Sequence, residues 1–434
     1  MITIKENTSK KNNGKVVIGF DLGDNFSQIS FLGLNDEEPT TISAVTGTQM
    51  YNIPTVLAKR PNVGQWFYGR EALKYVNNGG ILVDRLLSKA IRGEEVIVES
   101  ESYDPIALLA LFVKRALSLL NMQVSVKDIE AFMFTVDELN SRTVEVLSKL
   151  ASMLSLKCEH VSFSSHVESL YYYMIHQDPM LWQYQVLVLE YNDILKTMLL
   201  ESSKNTSPKV VFIHSEDYST MQKIEWSTNE SELSVQKESL DEQFLQIVEN
   251  ITLDKDITTV YLLGDGFKEE WATNSLKLLC KNRRVFQGNN LYSKGAAYGM
   301  LDKIHPSEVS KYNVYLGEDK LKSNIGIKAL RRGEDSYFAI LDAGINWFEA
   351  EADFEVLLEE GDEVPFVLTS LTGGFVTERR VKLEGLPVRP NRATFLHIHI
   401  EMVNVDTMQV DIEDLGFGEI IKSSGLAWSH TIAL

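Results

Sequence analysis

The chain has 434 residues, 44% of them hydrophobic and 24% charged, with a formal net charge of −19. That length exceeds one ordinary core and predicts two or three domains. The negative charge argues against a nucleic-acid partner, because phosphate binding needs a basic surface, and it disfavours an anionic membrane. Its plain consequence is solubility. No apolar run reaches the roughly 18 residues that span a bilayer. Residues 1–14 are polar, lack a signal-peptide core and read as a disordered tail. The two cysteines, Cys158 and Cys280, lie in apolar helical contexts and are expected as buried thiols, without disulfide or metal spacing. A reducing cytoplasm fits that usage.

Residues 16–31 open the folded part. An apolar strand runs into Asp21-Leu22-Gly23, a polar turn and a second strand, which predicts a hairpin over 15–34. Such a turn can put a carboxylate beside a metal and N–H groups around a phosphate. A strand region follows at 53–70, then a helix over 81–91. A strongly apolar helix begins at Pro105, with Asp104 placed to cap it. Next come a strand at 129–136, an amphipathic helix at 140–154, a strand at 159–163 and a helix at 167–175. This alternation is the α/β rhythm. A second hairpin, 184–190 with 196–200, echoes the first and suggests an internal duplication. A strand pair is predicted within 209–226, a charged loop over 227–237 and a helix over 240–251. A buried strand then ends in Gly264-Asp265-Gly266, and a helix follows over 269–281. Beyond Lys311 short alternating segments, one of them 347–357, are separated by Gly and Asp/Asn turns, as in a β-sandwich. The expected division is a tail 1–14, an α/β domain 15–302 in two lobes split near 183, a linker 303–323 and a sandwich 324–434.

Several segments carry a family likeness. Ile53-Pro54-Thr55-Val56-Leu57-Ala58 and Trp66-Phe67-Tyr68-Gly69-Arg70-Glu71-Ala72 resemble the I-P-S-V-V … V-G-x-x-A segment of the large heat-shock chaperone ATPases. Residues 126–136 resemble that family's V-x-x-A-V-I-T-V-P-A-x-F strand and helix. Residues 260–266 and 288–297 resemble its adenosine motif. Val381-Lys382-Leu383-Glu384-Gly385-Leu386-Pro387 resembles its F-x-L-x-G-I-P-P. The matches keep their order across 15–434. The resemblance implies an actin-like α/β ATPase fold, ribonuclease-H-like and duplicated, followed by an all-β sandwich similar to the chaperone peptide-binding domain. No helical lid like the family's is expected.

The resemblance also implies a ligand, ATP or ADP with magnesium, and residues to hold it. Asp21 would be an outer-shell metal carboxylate and Lys89 the catalytic lysine, with Arg85 its rival. Gly23, Asp24 and Asn25 would surround phosphates, and Gly264, Asp265 and Gly266 would lie under the adenosine. Each residue type also has a plainer reading: a turn-capping Asp, a solvated helix Lys, turn glycines. Three departures weaken the site. The second hairpin reads Glu190-Tyr191-Asn192-Asp193-Ile194-Leu195, with no glycine to approach a phosphate. Ser165 stands where the family has a glutamate, and Glu168 is a helical turn away. The Arg-Ile-Pro after the adenosine glycines is absent, leaving Arg283 or Arg284 as substitutes.

The expected function is therefore a chaperone-like protein whose lidless sandwich binds peptide or a partner protein. Its degenerate nucleotide domain binds ATP or ADP weakly or not at all. Trp347 and Phe348 are the candidate peptide contacts, since neighbours on a strand face opposite sides and one would be exposed. Phe338 and Phe354 are expected in the sandwich core. His397 and His399 share a strand face, but the sequence offers no third ligand, so no metal site is expected. Two alternatives stay open. One is an active Mg-ATPase in which Asp193 or Asn192 takes over the second hairpin's role. The other is a structural or assembly protein of actin-like fold.

Overall fold

The first hairpin forms because seven residues, Val16–Leu22 (β1), are buried almost throughout, as strands covered on both faces are. It pairs antiparallel with Phe26–Gly33 (β2). The structure, a computed structural model, describes residues 14–434 apart from 46, 157, 159, 204, 332, 333 and 374. Of the expected tail only Gly14 falls among them. The chain divides into two compact units. One runs to residue 202 and resumes over 213–311; the other takes 203–212 and 312–434.

The first unit repeats one plan. After β2 come Thr40–Thr41 (β3), Leu86–Arg92 (α1), Pro105–Leu117 (α2) and Ile129–Val136 (β4). Ser141–Leu154 (α3), His160–Ser165 (β5) and His166–Ile175 (α4) complete the half. The sheet order is β5-β4-β1-β2-β3, with β5, β4 and β1 parallel. The second half holds Gln185–Tyr191 (β6), Ile194–Ser202 (β7), Lys209–Gln222 (β8, in this unit from Ile213 on), Glu230–Thr252 (α5) and Ile257–Leu263 (β9). Thr273–Leu279 (α6), Arg284–Gln287 (β10) and Leu291–Ile304 (α7) follow. Its order is β10-β9-β6-β7-β8, again with the first three parallel and β6 and β7 antiparallel. In each half a helix leaves the outermost parallel strand: α4 after β5, α7 after β10.

Small residues let α7 approach its neighbours. A Cβ on Gly19 of β1 would lie 2.1 Å from the Ser293 carbonyl oxygen, and one on Gly295 would lie 1.9 Å from that of Ser169. Ser30 and Ser293 join hydroxyls at 2.8 Å in the same buried seam.

Local chemistry explains where the elements depart from the sequence reading. Residues 81–91 are a strand, Ile81–Val83, and then α1. The region 209–226 is dominated by one long strand, β8, not a pair; its outer half is exposed, which masked its continuity. Residues 230–237 are the first turns of α5, not a loop. Asn229 accepts from the N–H groups of Ser231 and Glu232, and a charged, helix-favouring run follows. The helix expected over 269–281 is only Thr273–Leu279. Cys280 caps its end and is exposed, and Cys158 is half-buried, so neither is the fully buried thiol expected. The expected linker 303–323 carries the end of α7, the helix Glu308–Tyr312 and the strand Asn313–Tyr315.

One segment does reach the length of a membrane span: Pro105–Met122, 18 residues of mean hydropathy 1.5. Its apolar character has a use inside the unit. Leu108, Leu109, Phe112, Val113 and Ala116 are buried, and the helix packs on α1 and α3.

The second unit is a pair of four-stranded antiparallel sheets. Ser323–Arg331 (β11), Glu334–Leu341 (β12), Glu351–Leu358 (β13), Glu363–Ser370 (β14), Val376–Lys382 (β15), Thr394–Asn404 (β16), Thr407–Gly416 (β17) and Ala427–Ala433 (β18) form orders β12-β11-β14-β15 and β13-β16-β17-β18. Alternation places Ile325, Ile327, Phe366, Ile398, Ile400 and Ile412 in one core. Arg389 clamps the buried Asp414 with two bonds of 2.7 Å. That guanidinium holds the Asp414 carboxyl well below the usual carboxylate range. Lys209, Val210 and Val211 pair in parallel with Asn313, Val314 and Tyr315, which attaches residues 203–212 to this unit.

The seam at α7 sets a stability test. Gly19→Ala pushes a methyl into the Ser293 carbonyl and should cost about 1–3 kcal/mol. Gly64→Ala, with no atom within 4 Å of the new Cβ, should cost less than about 0.5 kcal/mol. Denaturant unfolding of both variants measures the contrast; equal losses would remove the close-approach explanation.

Candidate functional site

The repeated plan puts like residues at like places. Asp21 is the last residue but one of β1, and Glu190 the last but one of β6. His166 opens α4, whose start is capped by the Ser165 hydroxyl accepting from the Glu168 N–H at 3.2 Å. Tyr292 is the second residue of α7. Within each half the helix residue reaches the strand carboxylate. His166 Nε2 lies 2.8 Å from Asp21 Oδ1, and the Tyr292 hydroxyl donates to Glu190 Oε2 at 2.6 Å. Between the halves the two rings stack, with centroids 4.0 Å apart and planes 3° from parallel. A continuous line of contacts, Asp21–His166–Tyr292–Glu190, thus joins the two hairpin tips.

Further groups brace this line. Asp137, just past β4, lies 3.8 Å from His166 Nδ1 and accepts from Lys196 at 2.9 Å. Lys196 is the register partner of Glu190. Asn192 donates to the other Glu190 oxygen at 2.9 Å and accepts from the Asp265 N–H at 3.2 Å. The His166 and Asp21 side chains are only 14% and 13% exposed. Burial alone would lower the His166 pKa, but Asp21, Asp137 and Glu190 together outweigh it and raise it. When protonated, the ring donates from Nε2 to Asp21 while lying flat on the Tyr292 face, which adds cation–π attraction. Burial, with Glu190 beside it, holds the Tyr292 phenol well above its ordinary range, so it stays a donor.

The residues singled out from sequence divide sharply. Asp21 is in this line. Asp24 caps α1, accepting from the Ser88 N–H at 2.9 Å and from the Ser88 hydroxyl. Gly23 lets the turn close, since a Cβ there would lie 2.7 Å from the Phe26 carbonyl oxygen. Asn25 is exposed, and its carbonyl accepts from the Thr55 N–H at 3.0 Å. Lys89 turns back on its own helix start, bonding the Asp84 carbonyl at 2.7 Å and carboxylate at 3.0 Å. Its ammonium therefore pairs with Asp84 at the start of the same helix.

The second glycine turn is filled by the chain itself. A Cβ on Gly264, whose φ is +93°, would meet the Tyr191 carbonyl at 2.4 Å, and one on Gly266 would meet the Tyr191 ring at 2.3 Å. Trp271 donates to the Gly266 carbonyl at 2.8 Å, and Asp265 pairs with Lys268 at 2.7 Å. Phe267 stacks on Trp271 and meets Tyr191 edge-on. These glycines therefore serve the close approach of Tyr191, and the face expected for a purine carries that ring.

The aromatic pair of the sandwich also differs from expectation. Residues 347–349 form a 3₁₀ turn ahead of β13, so Trp347 and Phe348 are not strand neighbours. Both are half-buried and meet edge-to-face at 5.7 Å. Trp347 packs on the core. Phe338, expected inside, is 50% exposed beside Tyr337 at 45%. Phe354 is half-buried against the core.

His166, Tyr292, Asp137 and Lys196 were not singled out from sequence. The duplicated plan held the signal for the first two, since each stands in the opening turn of the helix that follows its half's last parallel strand. A shallow groove lined by Asp104, Ile106, Ser148, Lys149, Ser152 and Met153 shares no residue with this cluster.

Residues 38–318 match the profile of the C-terminal part of a family of unknown function, DUF5716. Residues 320–434 match a domain of unknown function, DUF8552. No curated protein matches the chain.

The raised His166 pKa gives the cluster a pH signature. A group raised above its ordinary value of 6.5 stabilises fully below that value, and the contribution fades as pH climbs through the raised one. The stability gap between the native chain and His166→Gln should be widest below about pH 6.5 and shrink on going to about pH 9. Unfolding measured across that range checks it, and a gap that widens with pH speaks against the charged bridge.

Proposed function

This chain belongs to the DUF5716 family of unknown function, and we propose that it is a chaperone-like binding protein whose actin-like nucleotide domain serves as a scaffold rather than an ATPase. The observation that carries this reading is the Asp21–His166–Tyr292–Glu190 line. It joins the two hairpin tips that, by resemblance, would hold the phosphates of ATP. A magnesium-bound triphosphate does not fit that donor set. Admitting it would break charged hydrogen bonds worth about 1.5–3 kcal/mol each. It would also set phosphates beside Asp21, Asp137 and Glu190, with only His166 and Lys196 carrying opposing charge among the residues of this cluster. The second hairpin has no glycine N–H to offer a transition state, and one such donor is worth about 2.7–4 kcal/mol. The same strand order in both halves supports the actin-like, duplicated fold.

For binding, the support is β12, an edge strand of its sheet with Tyr337 and Phe338 about half exposed. An unpaired edge flanked by aromatics suits an extended apolar peptide or a partner's strand. A cytoplasmic location goes with this reading, since both cysteines are unpaired.

Calorimetry on the full chain with ATP and ADP, with and without magnesium, should give no binding heat, and turnover should stay at background. Magnesium-dependent turnover abolished by Asp21→Asn would instead establish the active-ATPase alternative. Extended apolar peptides should bind the full chain, and Tyr337→Ser with Phe338→Ser should weaken them. Absent or unchanged binding would favour the assembly-protein alternative.

A further inference from the structure

We propose that the outer face of the sheet β13-β16-β17-β18 binds a divalent transition metal, zinc being the ion that suits its donors. Along β16 Leu396, Ile398 and Ile400 are among the buried residues, so His397 and His399 stand together on the opposite, outward face. Register supplies the ligands that the sequence alone did not. Asp353 of β13 lies directly opposite His399, Glu355 opposite His397, and Glu351 one step further on. On the other flank Asp411 of β17 faces His399, and Glu413 faces His397. Two imidazoles therefore sit between two rows of carboxylates.

The distances suit a small ion. One ligand atom each from Glu351, Asp353 and His399 lie within 4.8 Å of one another. Asp353 Oδ1 is 3.1 Å from His399 Nδ1 and 3.5 Å from His397 Nε2, and Glu351 Oε1 is 4.0 Å from His399 Nε2. Four ligands placed tetrahedrally at zinc's usual bond lengths of about 2.0–2.1 Å lie about 3.3–3.4 Å from one another. Bringing His397, His399, Asp353 and Glu351 to that spacing would require side-chain rotation, because Asp353 faces His399 Nδ1 while Glu351 faces its Nε2. Glu351 and Asp353 are exposed and free to rotate, whereas the two histidines are half-buried on the central strand β16. Imidazole selects a transition ion over magnesium or calcium, which prefer oxygen-only shells. The acidic flanks draw cations to the face. Asp411, whose carboxyl is held low by hydrogen bonds from Ser429 and Gln409 and by the His399 charge, is a candidate to orient the His399 ring from behind.

The test uses the full chain, stripped with a chelator and titrated with zinc chloride. Calorimetry should give one tight equivalent per chain, and cobalt in its place should give the visible band of a four-coordinate site. The double variant His397→Ala, His399→Ala should lose at least about tenfold in affinity, together with the cobalt band. Asp353→Asn, an isosteric change at an exposed position, should weaken binding in the same direction while leaving the melting curve of the metal-free chain unmoved. Absence of binding by the native chain would overturn the proposal, leaving these residues as cross-strand ion pairs. So would binding unchanged in both variants, which would put the metal elsewhere.

Discussion

The first unit depends on how its two halves meet, and they meet through a stacked pair of rings. His166 and Tyr292 each belong to one half and each answer to that half's carboxylate. Stacked 4.0 Å apart, they turn two separate strand–helix contacts into one bridge. The bridge requires α4 and α7 to run close together, which only the glycine at 295 permits, and requires α7 to lie almost on β1, which only Gly19 permits. Backbone closeness and side-chain stacking are thus one constraint seen at two scales.

The bridge also explains how charge is distributed around it. Two partly buried carboxylates, Asp21 and Glu190, sit where burial would penalise unpaired charge, and the exposed Asp137 lies beside them. Each has a partner: the imidazole, the Lys196 ammonium, or the Tyr292 hydroxyl with the Asn192 amide. Asp24 and Lys89, which the resemblance placed at a phosphate site, are spent on capping α1 and on Asp84. The second unit follows a different rule, simple alternation. It gives the sandwich one apolar core and puts His397 and His399 together on the outer face of β16.

Much of the architecture was legible in the sequence because it rests on periodicity and punctuation. The hairpins, α2 with its Asp104 cap, β4, α3 with its Asn140 cap and the alternating strands all announce themselves locally. What stayed hidden depends on partners distant in sequence. The opening turns of α5 are charged and exposed and read as a loop, although Asn229 caps them. Trp347 and Phe348 read as strand residues because nothing in their composition reveals the turn at Asn346. Gly264 and Gly266 were legible as residues that let something come near. Only the fold says that Tyr191 is what comes near them. In the same way, the carboxylates that flank His397 and His399 are a matter of strand register, which no local pattern encodes.

The central claim is that His166 and Tyr292 act as one coupled unit holding the halves together. A double-mutant cycle on unfolding of the full chain, with His166→Ala, Tyr292→Ala and both together, tests it most directly. A stacked pair in this setting should show a coupling of about 0.5–1.5 kcal/mol, with the double variant losing less than the sum of the singles. Strict additivity, with coupling indistinguishable from zero, would mean that the rings are neighbours without being a bridge.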